Sequence, residues 1–249
     1  MSDDPGRRRP GLIFDFGLHN GDDTAFYLAK GFDVVAVEAN PQLADQAAAR
    51  FAKAVVDGRL TIVNLGIADG AAEMPFYVSQ VSSEQSSFDP DMAKRLGPVR
   101  QIQVRTVHPA RLWRAFGVPY YAKIDIEGFD AIVLASLRDL AQKPAYVSFE
   151  SGFGGWERAV ASLGRSGYSA FKPVDQKTVP RAALPDPALE GRYVAHRFAE
   201  GSSGPFGAET AGRWLEATEL KAGLDALRRA NPGNRGWIDI HARHRTARG

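Results

Sequence analysis

The 249 residues contain no cysteine. That absence excludes disulfide staples, thiolate metal sites and cysteine nucleophiles, so stability has to come from core burial. No apolar run approaches the roughly 18 residues that cross a bilayer. The opening "MSDDPGRRRP" also lacks the apolar core of a secretory signal. A cytoplasmic protein with no membrane partner is the expectation. Net charge is small, at +2, and basic residues cluster only near the ends, in "RRR" (7–9) and "ARHRTARG" (242–249). Solvated, frayed ends account for these better than nucleic-acid arms do, so no nucleic-acid partner is expected. Hydrophobic residues at 44% and charged residues at 24% fit a globular body.

What the chain does have is alternation. Short apolar, β-branched runs are interleaved with helical patterns, which predicts an α/β fold: a doubly wound, mostly parallel sheet of seven strands. "LIFDFG" (12–17), "DVVAVEA" (33–39), "LTIVNLGIA" (60–68), "YYAKIDIEG" (120–128), "AYVSFE" (145–150), "YSAFKPV" (168–174) and "WIDIHA" (237–242) read as its strands. Helices are expected at 24–31, 41–56, 109–117, 130–140 and 156–165, the second opened by Asn40 as N-cap with Pro41 behind it. Residues 73–107 read as a β insertion after strand three, with a serine-rich mobile tip. Residues 175–235 read as a lid-like insert carrying one helix, 210–230, before the last strand. The expected organisation is a disordered tail over 1–10 and one domain over 11–245.

Ligands of an open parallel sheet bind beyond the carboxyl ends of its strands. Strand one delivers Asp15, Gly17, His19, Asn20 and Gly21 there, with Thr24 just beyond. Strand two delivers Glu38 and Ala39, strand three Ile67 and Ala68, strand four Asp125 and Glu127, and strand five Glu150. Glu38 stands 21 residues after Gly17, where an acid accepts hydrogen bonds from the ribose of an adenosine-containing cofactor. Nicotinamide and flavin enzymes need a G-x-G-x-x-G cradle for pyrophosphate. Here the turn is "GLHNG", flanked by Asp15, Asp22 and Asp23. Carboxylates in those places repel a pyrophosphate and suit the ammonium and sulfonium ends of S-adenosylmethionine.

The ordered motifs "DFGLHNGDDTAFYLAKGFDVVAVEANP", "NLGIAD", "KIDIEGFD" and "VSFE" resemble the FkbM family of S-adenosylmethionine-dependent methyltransferases over 12–151, with a weaker echo in "GSSGPFG" and "WIDIHA". The resemblance implies a Rossmann-like class I methyltransferase that methylates a hydroxyl of a natural product, sugar or glycan. It implies that Asp15, Gly17 and Gly21 form the D-x-G-x-x-x-G first motif, that Glu38 is the ribose acid, and that Ile67 and Ala68 flank the adenine. His19, Asn20, Thr24 and Ala39 adjoin these as cofactor contacts. Asp125 would face the methionine end of the cofactor and the substrate. The broader motif often has glycine where this chain has His19, so that side chain either touches the cofactor or turns away.

A hydroxyl needs a base, and the candidates in order are Asp125, Glu127 and His19. Asp125 and Glu127, two apart on a strand, should share a face. His108, before Pro109, reads as a helix cap. His241 reads as packed within the last strand, and His196 lies in the lid. Histidines and acids do not fall into a metal-binding spacing, so no dedicated metal site is expected, although acids from separate strands could share magnesium with a substrate. Two other readings remain: an NAD(P)-dependent oxidoreductase, disfavoured by the missing third glycine, and a catalytically silent ligand-binding protein of the same fold. Residues 79–97 and 175–235 should line the acceptor pocket.

Overall fold

The computed structural model describes residues 8–151, 155–232 and 237–247. Strand β1 (Arg8–Phe16) leads through α1 (Asp22–Ala29) to β2 (Asp33–Val37). Helices α2 (Pro41–Arg50) and α3 (Ala52–Val56) precede β3 (Leu60–Val63) and β4 (Gly66–Ile67). Next come β5 (Glu73–Ser79), α4 (Pro90–Ala93), β6 (Val99–Val107), α5 (Pro109–Phe116) and β7 (Val118–Ile124). The chain closes with α6 (Asp130–Ser136), β8 (Tyr146–Glu150), α7 (Trp156–Arg165), β9 (Tyr168–Asp175), α8 (Ala217–Ala230) and β10 (Ile238–His244).

Seven strands form one sheet in the order β3-β2-β1-β7-β8-β10-β9. The first five of that order pair in parallel, and β10 runs antiparallel between β8 and β9. Strand order therefore reverses between β1 and β7, which opens a crevice at their carboxyl ends. The period of two along β1 explains why it is buried on both faces. Leu12, Phe14 and Phe16 enter one core cluster with Trp113, Ile124 and Phe149, while Ile13 enters a second with Phe26, Tyr27 and Tyr121. Asp15 follows Ile13 in parity, so it faces helix α1.

Several boundaries differ from the sequence expectation, each for a local reason. Residues 8–10, expected in a disordered tail, extend β1: Arg8 pairs with Val118 and Arg9 with Pro119, and the Arg8 guanidinium donates to the Lys143 carbonyl. Residues 1–7 of that tail, 248–249 of the basic end and 233–236 of the expected insert lie outside the described residues. The helix expected over 41–56 breaks at Phe51 (φ −109°, ψ 24°), although Asn40 caps it by accepting from the Gln42 amide. The strand expected over 60–68 breaks after Val63. Beyond the break, Asn64 donates to the Glu38 carbonyl and β4 joins a second, three-stranded sheet in the order β4-β6-β5. His108 does cap α5, accepting from the Ala110 amide.

Candidate active site

The turn after β1 is built by geometry that tolerates few substitutions. Gly17 has φ +88°, and a Cβ there would lie 1.9 Å from the carbonyl oxygen of Asp125. Its amide and that of Leu18 both donate to the Val37 carbonyl, at 3.0 and 3.1 Å. Gly21 (φ +80°) leaves the N-terminus of α1 pressed against the Phe51 ring, which the break between α2 and α3 delivers. The His19 backbone is left-handed, with φ 48°, and its amide donates to Glu38 Oε2 at 2.9 Å. The Asn40 amide donates to Glu38 Oε1 at 2.8 Å. Two backbone donors thus fix this carboxylate. Burial pushes its pKa up, and these two amides pull against that shift.

A cavity of about 1150 Å³ opens over this turn. Of the residues expected at the site, Gly17, His19, Asn20, Glu38, Ala39, Ile67, Asp125, Glu127 and Glu150 line it. Asp15, Gly21, Thr24 and Ala68 do not, and each has a structural task. Asp15 is fully buried and accepts from the Thr24 hydroxyl at 2.7 Å, beneath α1. Gly21 begins that helix, and the Ala68 amide donates to the Val107 carbonyl. The first-motif acid therefore supports the floor from below.

Lys123, which sequence reasoning missed, organises that support. It is the register partner of Asp15 across β1 and β7, and its side chain is 5% exposed. Its Nζ lies 3.3 Å from Asp15, 3.7 Å from Asp23 and 3.6 Å from Asp125, and donates to the Gly17 carbonyl at 2.8 Å. Burial opposes its charge, but Asp15, Asp125 and Asp23 outweigh burial and hold its pKa well above the ordinary lysine value. The signal was present in "YYAKIDIEG": a lysine inside a buried parallel strand needs carboxylate partners.

This pairing corrects the electrostatic argument against a pyrophosphate, because the three turn acids are engaged. Asp15 meets Lys123, Asp22 pairs with Arg50 at 2.9 Å, and Asp23 accepts twice from the Ser203 amide at 2.9 and 3.1 Å. Burial raises Asp23 to about 6. A better reason lies in the amides. Those of residues 17, 18, 19, 21 and 22 already donate within the protein. A phosphate cradle needs such donors free.

The His19 ring bonds Ser83 Oγ through Nε2 at 2.7 Å. The serine-rich segment therefore folds over the turn, and Glu84, Gln85, Phe88 and Arg95 line the cavity with Ser83. Burial lowers the His19 pKa, which favours a neutral ring. Asp125 and Glu127 do come together, though not by strand alternation, since β7 ends at Ile124. Glu127 sits in a left-handed turn (φ 47°) with its carbonyl held by Ser87 Oγ at 2.7 Å. Burial and the charge of Asp125 push Glu127 up to about 8 and Glu150 up to about 7. Asp239 and Ser151 also line the cavity and were not foreseen, and Gln176 joins them from the segment expected to line the acceptor pocket.

The insert before β10 contributes only part of its length. Gln176, Lys177 and residues 201–203 line the cavity, whereas the Glu209 side chain is fully buried against Lys30, just after α1, at 2.8 Å. His196 packs between Phe26 and Phe198, away from the cavity. His241 is 1% exposed, parallel to the Tyr121 ring and without a hydrogen-bond partner on either nitrogen. Among the described residues, no helix is long and apolar enough to cross a membrane.

Comparison with known proteins adds a family. The chain is similar to a TehB-like SAM-dependent methyltransferase from Corynebacterium glutamicum, with 14% identity over 67% of this chain and 70% of that one and a TM-score of 0.35. It is similar to residues 961–1257 of the StiE O-MT, with 11% identity over 95% of this chain and 69% of that one and a TM-score of 0.41. It is also similar to a SAM-dependent methyltransferase from Thiobacillus denitrificans in complex with S-adenosyl-L-homocysteine, with 12% identity over 96% of this chain and 86% of that one and a TM-score of 0.38. A search of curated proteins finds no match. Residues 15–177 match the family described as the methyltransferase FkbM domain. That match spans more than half of the chain, which belongs to the FkbM methyltransferase family.

Proposed function

We propose that this methyltransferase uses S-adenosylmethionine to methylate a hydroxyl oxygen of a small molecule, sugar or glycan. The observation that carries the reading is the Glu38 carboxylate, fixed at the cavity wall by the His19 and Asn40 amides. A carboxylate held by two donors keeps lone pairs for ribose hydroxyls, at about 1.5–3 kcal/mol for a hydrogen bond to a charged group. Gly17 has no Cβ, and the Asp125 carbonyl takes the space, so the glycine packs the turn that carries His19 against the end of β7. Ile67 and Ala39 supply apolar wall on the side of Glu38 suited to an adenine.

When bound, S-adenosylmethionine supplies a sulfonium-activated methyl group whose transfer leaves a neutral thioether, so no acid is needed for the leaving group. The protein's work is to position the acceptor and remove its proton. Asp125, Glu127 and His19 all line the cavity and are the candidates to take that proton. The acceptor oxygen would take the methyl group as its hydroxyl proton passes to one of these groups.

The second reading, an NAD(P)-dependent oxidoreductase, has against it the engaged amides of the turn. Methyl-labelled S-adenosylmethionine offered with panels of hydroxylated and aminated acceptors separates the outcomes. Label is expected on hydroxylated acceptors, with equimolar S-adenosylhomocysteine. Label on aminated acceptors alone would overturn O-methylation.

A further inference from the structure

We propose that Asp125, Glu127 and Glu150 bind a divalent, oxygen-preferring cation of the magnesium class, placed to hold two neighbouring oxygens of the methyl acceptor. The inference rests on the methyltransferase reading and deepens it. One oxygen from each of the three carboxylates lies within 4.8 Å of the other two. The topology imposes this closeness: β7 and β8 are parallel neighbours that pair Ile124 with Phe149, so Asp125 and Glu150 emerge side by side. The left-handed turn at Glu127, pinned by Ser87, brings the third carboxylate back over them.

A second observation points to a ligand at the same place. Ser151, next to Glu150, is 2% exposed, lines the cavity and, among the described residues, has no hydrogen-bond partner for its Oγ. Gln176 is 4% exposed, lines the same cavity and, among the described residues, leaves Nε2 unpartnered, a donor suited to an acceptor oxygen and not to the cation. Ser151 stands beside the acids: it follows Glu150, Asp239 lies opposite Glu150 in the register of β10 and β8, and the Ser151 amide donates to the Ile238 carbonyl, while Gln176 joins the same cavity wall from beyond β10 through its amide to the Trp237 carbonyl. Buried polar atoms left without protein partners are groups for a ligand to satisfy.

Lys123 divides its charge among Asp15, Asp23 and Asp125, and Arg95 faces both Glu127 and Glu150. An all-carboxylate donor set without histidine or cysteine selects Mg²⁺, Mn²⁺ or Ca²⁺ over zinc. Three protein oxygens leave about three positions of an octahedral shell, enough for two acceptor oxygens and a water. The acceptor is then one with adjacent oxygens, such as a vicinal diol or a hydroxyl beside a carbonyl. With Asp125 and Glu127 engaged as ligands, His19 is left of the three groups to take the hydroxyl proton.

Mn²⁺ serves as the probe, followed by electron paramagnetic resonance on the whole chain. One saturable site is expected, weakened at least tenfold in Glu150→Gln and likewise in Glu127→Gln, but unchanged in Asp57→Asn on the far surface. Thermal shift with S-adenosylhomocysteine on the same samples reports folding and cofactor binding. A wild-type chain that responds to S-adenosylhomocysteine but binds no Mn²⁺, or binds it equally in both Gln variants, overturns the cation site alone. A chain that does not respond to S-adenosylhomocysteine overturns the methyltransferase reading on which the site rests.

Discussion

At the scale of single residues, burial decides which acids can meet a ligand. Asp15 looked like a pocket residue because it ends an apolar run beside glycines. Its parity along β1 instead sends it under α1, where Lys123 and Thr24 receive it. Sequence spacing gives parity but not register, and the pairing of Asp15 with Lys123 across β1 and β7 is a register fact. The places of Glu38, Gly17 and Asp125 on the cavity wall were legible because they follow from position at a strand end. Lys123 carries the support: removing a buried charge and leaving its partners uncompensated costs about 3–5 kcal/mol. Lys123→Met should lower unfolding free energy by about that much in urea titration, and adding Asp15→Asn should restore part of the loss. A Lys123→Met variant as stable as the wild type would refute the support role.

At the scale of elements, propensity and periodicity located the strands well, and tertiary contacts set where they stop. The run over 60–68 reads as one strand because apolar residues flank Asn64 and Gly66 on both sides, although those two residues mark where it breaks. The break comes from Asn64 reaching the Glu38 carbonyl and from Phe88 filling the space beside Gly66, where a Cβ would lie 2.2 Å from the ring. The serine-rich segment, read as a mobile tip, is tied to His19 by Ser83 and to Glu127 by Ser87, contacts that no local pattern encodes. The turn from β7 into α6 concentrates acids, which gives stability a pH dependence. Burial, with Asp125 next, raises Asp130 to about 7, as burial raises Glu127 to about 8 and Glu150 to about 7. Each group binds its proton more tightly folded than unfolded, so the folded state is favoured at low pH in this window. Its contribution declines as pH rises from about 4, the unfolded carboxyl range, toward 8. Asp130→Asn keeps an Oδ1 to accept from the Ile126 amide and removes the buried charge. Chemical denaturation between pH 5 and 8, with a chelator present, should show a shallower decline in that variant. An unchanged slope would show that Asp130 does not take part.

At the scale of the molecule, the fold places chemistry by topology. Reversal of strand order between β1 and β7 opens the crevice, and the carboxyl ends of β1, β2, β7 and β8 deliver Gly17, His19, Glu38, Asp125 and Glu150 to it. That much was readable from alternation and motif order, because parallel strands and their crossover connections leave few arrangements open. The far wall was not readable. Asp239, Ser151 and Gln176 come together only because β10 inserts antiparallel between β8 and β9, a pairing between segments separated by the long insert. The segments 79–97 and 176–216 also press on the first turn, one through Ser83 on His19 and the other through Ser203 on Asp23. The site is therefore completed by distant parts of the chain.

The central claim, that the cavity over the β1 turn holds S-adenosylmethionine against Glu38, is tested most directly by calorimetric titration with S-adenosylhomocysteine. Binding to the wild-type chain is predicted, with Glu38→Ala weakening it about 10- to 100-fold, the equivalent of losing about 1.5–3 kcal/mol of hydrogen bonding to a charged acceptor. Equal affinity in the two proteins, or no binding to the wild type, would contradict the account.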